Sequence, residues 1–406
     1  MNRVYALSLI LTAVASSIAG ESWPQFRGPT GLGYSDEINL PLKWGGAAAE
    51  NILWKSPLPK SDNPYSSPIV WRDRVFVTSV RNTPLEHHVL CFQVSDGKPL
   101  WDVTVAPGPW KLTDLRGGYG APTPCTDGKI VFVLFGSAVI VALDFEGKLI
   151  WRKDLPRYDF DVAIGTSPIL HQDTVIVNCD QLGSKSCIIG FDKKTGEVKW
   201  EALRPDTGFA HSTPVIVSVQ DKLQMLVSAS GALQGLDPAS GKILWRCAAQ
   251  GDASSPAFGS GLVYNDSGRG GPGVCVDPTG IGDVTNTHLK WKIAQIPEGL
   301  SSPLIIGEFV YRLYNPEILR CLRLASGEQV YTERLAGVST WASPIATADG
   351  LLYLASAGRS YVVRAGPKLE VIGESNLGEE NRASAAIANG RIFLRGDKNL
   401  YCIGKK

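Results

Sequence analysis

Four tryptophans each stand four residues after a glycine, and the phrase that joins them recurs along the chain. The copies are Gly97-Lys98-Pro99-Leu100-Trp101, Gly147-Lys148-Leu149-Ile150-Trp151, Gly196-Glu197-Val198-Lys199-Trp200 and Gly241-Lys242-Ile243-Leu244-Trp245. Successive tryptophans lie 50, 49 and 45 residues apart. A period in that range means one supersecondary unit repeated, so repetition constrains the fold before any site is considered. The 406 residues are long enough for two or three ordinary domains, but a single closed array of repeats is equally normal at this length.

Each unit opens on a small or hydroxyl residue before proline, followed by a β-branched apolar run. The openings are Ser67-Pro68, Thr123-Pro124, Ser167-Pro168, Thr213-Pro214, Ser255-Pro256, Ser302-Pro303 and Ser343-Pro344, with a degenerate eighth at Ser384-Ala385. Proline is tolerated at the first residue of a strand, where its missing N–H need not break a ladder. A Gly-containing turn then feeds a second strand. The third strand ends in a small residue, an apolar one and usually Asp, as in Ala142-Leu143-Asp144 and Gly235-Leu236-Asp237. The fourth strand carries the tryptophan; Trp291, Tyr331 and Val371 or Ile372 are expected in that slot in the later units. Four short strands per unit without helical periodicity predict an all-β, eight-bladed β-propeller. The last unit runs out after Leu400-Tyr401-Cys402-Ile403, and Ile52-Leu53-Trp54-Lys55 is the strand expected to complete it, removing both free edges.

The docking phrase Gly235-Leu236-Asp237-Pro238-Ala239-Ser240-Gly241-Lys242-Ile243-Leu244-Trp245 resembles the tryptophan-docking repeat of the pyrroloquinoline-quinone propellers. That superfamily includes quinoprotein alcohol dehydrogenases and the non-enzymatic BamB-like outer-membrane assembly factors. The resemblance covers roughly residues 50 to 403. The opening Trp23-Pro24-Gln25-Phe26-Arg27-Gly28-Pro29 is similar to the start of secreted bacterial proteins with such repeats. The pattern of the dehydrogenases is incomplete. There is no Cys-Cys dipeptide and no Cys-x-x-Cys-His for a covalent haem, and no residue matches their catalytic Asp or calcium ligands. No catalytic residue is therefore assigned. The preferred expectation is a non-catalytic binding or scaffold protein engaging a protein or carbohydrate partner. A dehydrogenase using pyrroloquinoline quinone with calcium at an atypical site, and a BamB-like envelope assembly factor, are the alternatives.

Lys and Arg number 40 against 39 Asp and Glu, so no nucleic-acid groove or polybasic membrane patch is expected. Arg3, an apolar run from Val4 to Val14 and small residues at Ser17 and Ala19 read as a secretory signal over residues 1–20. An extension over 21–50 and the propeller over 51–406 complete the organisation, with no membrane span once the signal is cleaved. The mature protein is expected in the periplasm or outside the cell.

Candidate ligand residues fall on loops, where a rigid scaffold concentrates function. Arg116 and Tyr119 lie in the glycine-rich stretch before the second opening. Arg269, Asp283 and His288 are expected to form a polar cluster near one mouth of the channel. Tyr65, His211 and Trp341 precede inner strands and are placed at the channel rim, where they can stack on a flat ligand or a sugar or simply plug it. The histidines show no zinc spacing, and no metal site is expected. Among the eight cysteines, Cys91, Cys275, Cys321 and Cys402 occupy the small slot of the third strand and read as packing. Cys179 and Cys187 sit on two arms of one hairpin; a disulfide between them is left open, since only geometry decides it.

Overall fold

The computed structural model describes residues 20–406 except 112–117, 157–161 and 381. The signal segment and Arg116 therefore lie outside the described residues. Eight four-stranded antiparallel units follow one another, spanning residues 69–105, 125–154, 169–203, 215–249, 257–298, 304–334, 345–376 and 386–404, and are numbered here as blades 1 to 8. The fold is an all-β, eight-bladed propeller. Blade 8 supplies three strands of its own, and Ile52–Pro57 pairs antiparallel with Asn399–Gly404 as its outer strand.

The repeated phrase works across blades rather than within one. In blade 3 the Trp200 side chain stands opposite Gly190, and the register slips by one residue immediately afterwards. The same slip follows the pairs Cys91 with Trp101, Ala142 with Trp151, Gly235 with Trp245, Cys275 with Trp291 and Cys321 with Tyr331. A bulge of this kind bends the outer strand and aims one side chain. It aims the indole at the next blade, where the glycine of that blade's own phrase receives it. Gly147 lies on Trp101, Gly196 on Trp151 and Gly241 on Trp200, and a Cβ on any of them would fall 2.6–3.0 Å from the ring. The indole N–H groups of Trp101, Trp151 and Trp291 then donate to carbonyls of the following blade, those of Phe145, Lys193 and Leu324, at 2.8, 3.0 and 2.7 Å. Glycine is required at these turns both for its positive φ and because the indole leaves no room for a side chain.

Blade 7 departs from the expected pattern. The residue opposite Val362, at the slip, is Gly373 rather than Val371 or Ile372. A Cβ at Gly373 would meet the Leu42 carbonyl at 1.9 Å, so the N-terminal extension lies directly on that strand. Trp44, buried in the cluster with Val362 and Phe393, brings an indole to this part of the ring from outside the repeat.

The proline-flanked openings form the second device. Each opening hydroxyl accepts a hydrogen bond from the backbone N–H of the preceding opening. Ser67 N donates to Thr123, Thr123 N to Ser167, Ser167 N to Thr213 and Thr213 N to Ser255, at 2.9–3.0 Å. Ser255 N donates to Ser302, Ser302 N to Ser343, Ser343 N to Ser384 and Ser384 N to Ser67, at 2.9–3.1 Å. The circle closes. Blade 8 keeps the hydroxyl and drops the proline, which shows which of the two the ring needs.

All eight cysteines are buried, and none forms a disulfide. Cys179 and Cys187 are directly opposed in blade 3 without a bond between them. Opposed positions on antiparallel strands hold their Cβ atoms about 4.5–5.5 Å apart, whereas a disulfide wants roughly 3.8 Å.

Candidate functional site: an axial funnel

The central channel is filled from one end by the N-terminal extension. Ser22–Trp23 pairs with the inner strand of blade 1, and the Pro24 carbonyl accepts from Thr126 N of blade 2 at 2.9 Å. Leu32 joins the Val215, Val217 and Val219 cluster of blade 4, and Tyr34–Ser35 runs parallel to the inner strand of blade 7. Arg27, 1% exposed, donates to the carbonyls of Leu32 at 2.9 Å and Pro303 at 2.6 Å. Among the described residues its Nε and Nη1 have no partner, and burial works against its charge. The Trp-Pro-Gln-Phe-Arg-Gly phrase is thus a channel plug, and Gly28 is the residue on which the Trp23 ring rests.

Above the plug the channel opens into a funnel of about 720 Å³. Phe26 rises into it from the plug, and hydroxyl residues of the hydrogen-bonded circle line it. Its rim is set by a single position of the repeat, two residues before each opening. In blade order those residues are Tyr65, Ala121, Gly165, His211, Ala253, Leu300, Trp341 and Arg382, and all eight line the funnel. The sequence-expected residues Tyr65, His211 and Trp341 therefore lie on one ring, and Arg269 joins them from blade 5. Arg382 escaped the sequence reading, although its spacing from Ser384 matches that of Tyr65 from Ser67 and Trp341 from Ser343. The degenerate eighth opening, lacking proline, hid it.

Three consecutive large rim residues pack together. The Arg382 guanidinium lies 4.1 Å from the Trp341 ring centre and 5.3 Å from that of Tyr65, and the two rings are 5.5 Å apart. Arg382 Nη1 donates to Tyr65 Oη at 3.0 Å, and Tyr65 donates onward to Asn63 Oδ1 at 3.1 Å. Among the described residues no carboxylate lies within ion-pair reach of Arg382. Stacking on aromatic faces fixes the guanidinium plane and leaves its remaining N–H donors for a ligand.

The opposite wall carries one cation and two carboxyl groups. Arg269 Nε pairs with Asp252 at 2.9 Å, and Glu298 stands nearby on the lining. Burial pushes Asp252 up to about 6, against the pull of the Arg269 charge. His211 sits edge-on to Phe209 at 4.5 Å, its Nδ1 covered and without a partner beside Gly165. Burial first, and Arg269 second, depress its pKa to about 3, so the ring is neutral at ordinary pH.

The remaining sequence candidates lie elsewhere. Tyr119 is buried against His87, away from the funnel lining. Asp283 and His288 do not join Arg269. The insertion that carries them turns outward, where Gly282–Asp283 pairs in parallel with the outer strand of blade 4 and Asp283 meets Arg246 at 3.1 Å. His288, on the same excursion, bonds Thr287. Edge pairing drew the insertion to the perimeter rather than to the mouth.

Calcium with pyrroloquinoline quinone asks for several oxygen donors about one point, and calcium takes 6–8 such ligands. The funnel lining offers one carboxylate, Glu298, while Asp252 behind it is already held by Arg269. Among the described residues no group of three or more His, Cys, Asp or Glu is close enough to hold a metal ion. This donor set does not fit that pair of cofactors.

The class defined by these features is an eight-bladed, tryptophan-docked propeller with a plugged axis and one open funnel. The family model described as outer membrane protein assembly factor BamB matches residues 85–333. The chain is 22% identical to outer membrane protein assembly factor BamB of Yersinia pestis over 377 residues, covering 87% of this chain and 81% of that protein. Among solved structures, BamB from Moraxella catarrhalis superposes with a TM-score of 0.60 at 13% identity, covering 87% of this chain and 98% of that one. Quinohemoprotein alcohol dehydrogenase from Comamonas testosteroni gives 0.58 at 13% identity, covering 97% and 82%; at that identity the likeness is one of fold alone. The chain belongs to the BamB family of pyrroloquinoline-quinone-type repeat propellers.

Proposed function

We propose that this protein is an exported, non-catalytic scaffold that docks a partner protein on the outer edges of blades 2 to 4, in the manner implied by the assembly-factor names of its relatives. The supporting observation is an uneven perimeter. Two residues before the docking aromatic, blades 2, 3 and 4 carry Leu149, Val198 and Ile243, all exposed, the first two by 51% and 58%. The equivalent position in blade 6 is Gln329; blade 7 carries Val371, 42% exposed, on a strand that the N-terminal extension already lies against. Ile150 adds to the arc from blade 2, and Ile281, 89% exposed, stands at the strand added beside blade 4. Among the described residues, the outer strands of blades 2 and 3 have no further strand paired to them, while that of blade 4 carries Gly282–Asp283. Apolar residues on open strand edges are what a partner strand or loop requires. Export is inferred from the residue 1–20 signal pattern, and among the described residues no helix is long and apolar enough to cross a membrane.

The test is photocrosslinking in the native host, with p-benzoylphenylalanine placed at Leu149, Val198 or Gln329. Discrete protein adducts from the first two positions and none from Gln329 are expected, and Leu149→Glu with Val198→Glu should abolish the native complex without lowering Tm. Equal adducts at all three positions, or a complex indifferent to the charged pair, would refute this reading.

A further inference from the structure

The funnel lies on the axis, apart from the perimeter arc, and its two walls differ: the carboxyl groups lie on the Arg269 side, Arg382 and the aromatic rings on the other. Every opening hydroxyl already accepts an N–H from its neighbour, which leaves it a proton to donate and one lone pair to accept. Six of these hydroxyl residues line the cavity. Arg382 adds guanidinium donors with no carboxylate opposite them among the described residues. The floor and the blade 7–8–1 wall together therefore offer donors and half-exposed aromatic faces to whatever enters.

An acceptor-rich ligand with at least one apolar flat face fits that inventory. A peptide strand does not, because the backbone N–H groups of the openings are consumed by the hydroxyl circle and offer no edge to pair with. A saccharide ring presents C–H groups on one face and oxygens around its border. A cation stacked on two aromatic rings with no carboxylate in direct contact, its charge reaching Asp397 only at longer range, selects, among saccharides, one that brings a carboxylate, which a guanidinium grips through paired N–H donors. The volume is that of a ligand of a few rings.

We propose that the funnel binds an acidic carbohydrate, its ring face laid on Tyr65 and Trp341, its carboxylate on Arg382 and its hydroxyl groups toward the Ser/Thr circle. Phe26 of the plug forms the bottom of the site, so the N-terminal extension belongs to the binding surface. Arg269, bound to Asp252, serves the far end of the ligand.

The experiment is calorimetric titration of the mature protein with trisaccharides of galacturonate, mannuronate and guluronate, with a neutral cellotriose, with an acidic tripeptide and with a planar aromatic tricarboxylate. Binding of at least one uronate trisaccharide is expected, at least about tenfold tighter than cellotriose, as one charge-assisted contact implies. Arg382→Ala should remove that preference and Trp341→Ala should weaken acidic and neutral sugars alike; Tm measured on each variant separates lost contact from lost fold. The proposal is overturned if no uronate binds at millimolar concentration, if cellotriose binds equally well, if the peptide or the planar acid binds more tightly, or if Arg382→Ala leaves uronate affinity unchanged. None of these outcomes bears on the perimeter complex, which is read by crosslinking at blades 2 and 3.

Discussion

The perimeter and the axis of this propeller are built by opposite rules. On the perimeter five junctions repeat one contact, the indole of one blade (Trp54, Trp101, Trp151, Trp200 or Trp291) resting on a glycine of the next, so a single phrase copied along the sequence supplies most of them. On the axis eight different residues from eight blades meet at one ring, and a separate segment, residues 22–35, fills the space beneath them. Repetition gives stability that is a sum of like interfaces. Convergence gives a surface on which no two positions need agree. That contrast explains why the docking residues are uniform while the rim holds Trp, Arg, Tyr and His beside Gly and Ala.

The largest expected effect tests the perimeter. Trp151→Ala removes a mostly buried indole and its bond to Lys193 O, and should cost about 3–5 kcal/mol in denaturant unfolding. A loss below about 1 kcal/mol would show that the docking contact is not what holds neighbouring blades together.

Acid comes next. His87 is fully buried, stacked on Phe135 at 4.3 Å with neither ring nitrogen partnered, and burial lowers its pKa to about 3. The folded state binds fewer protons than the unfolded chain between pH 6.5 and 3. This contribution is therefore complete above pH 6.5 and is lost as pH falls, at about 1.4 kcal/mol per pH unit, or roughly 3 kcal/mol by pH 4.5. His87→Phe should flatten that part of the stability curve; an unchanged slope would mean the histidine is not buried neutral.

Gly196→Ala places a Cβ 2.8 Å from the Trp151 ring at a φ of +70°, and should destabilise by about 1–3 kcal/mol. Gly28→Ala makes the same clash with Trp23 inside the plug, at 2.6 Å. Comparable losses would show that axis and perimeter share one packing device. A harmless Gly28→Ala would show the plug to be the looser of the two.

Ser384→Ala opens the hydroxyl circle at its degenerate member and leaves the buried Ser343 N–H without its acceptor. The expected cost is about 1–2 kcal/mol, with slower exchange protection lost first at that amide. Smallest of all, Arg382→Ala should change stability by less than about 0.5 kcal/mol, because its side chain is exposed at the rim. A larger loss would make the cation a structural member of the ring.

Much of this was legible in the sequence, and unevenly so. The blade count, the docking tryptophans and the cysteines packed opposite them follow from spacing, because a strand's side chains alternate and a repeat preserves its register. Tyr65, His211 and Trp341 could be placed at the rim for the same reason. Arg382 obeys that rule too, and was hidden only by a degraded motif. Asp283 and His288 could not be placed, since an insertion goes wherever an unpaired edge accepts it, and blade 4 offered one. The glycine of each phrase also misleads when read locally: it serves the tryptophan of the preceding blade, not its own.

By itself the sequence determined the repeating unit, the number of blades and the all-β class, because each depends on local periodicity and turn chemistry. Only the tertiary structure decided that residues 22–35 plug the axis, that the opening hydroxyls close into one circle, and that Arg382 stacks on Trp341 and Tyr65. Those facts arise from closing a ring. Closure brings together residues 317 positions apart, as with Tyr65 and Arg382, or 329, as with Ser66 and Arg395, and no local pattern in a chain records which distant residues will share a neighbourhood.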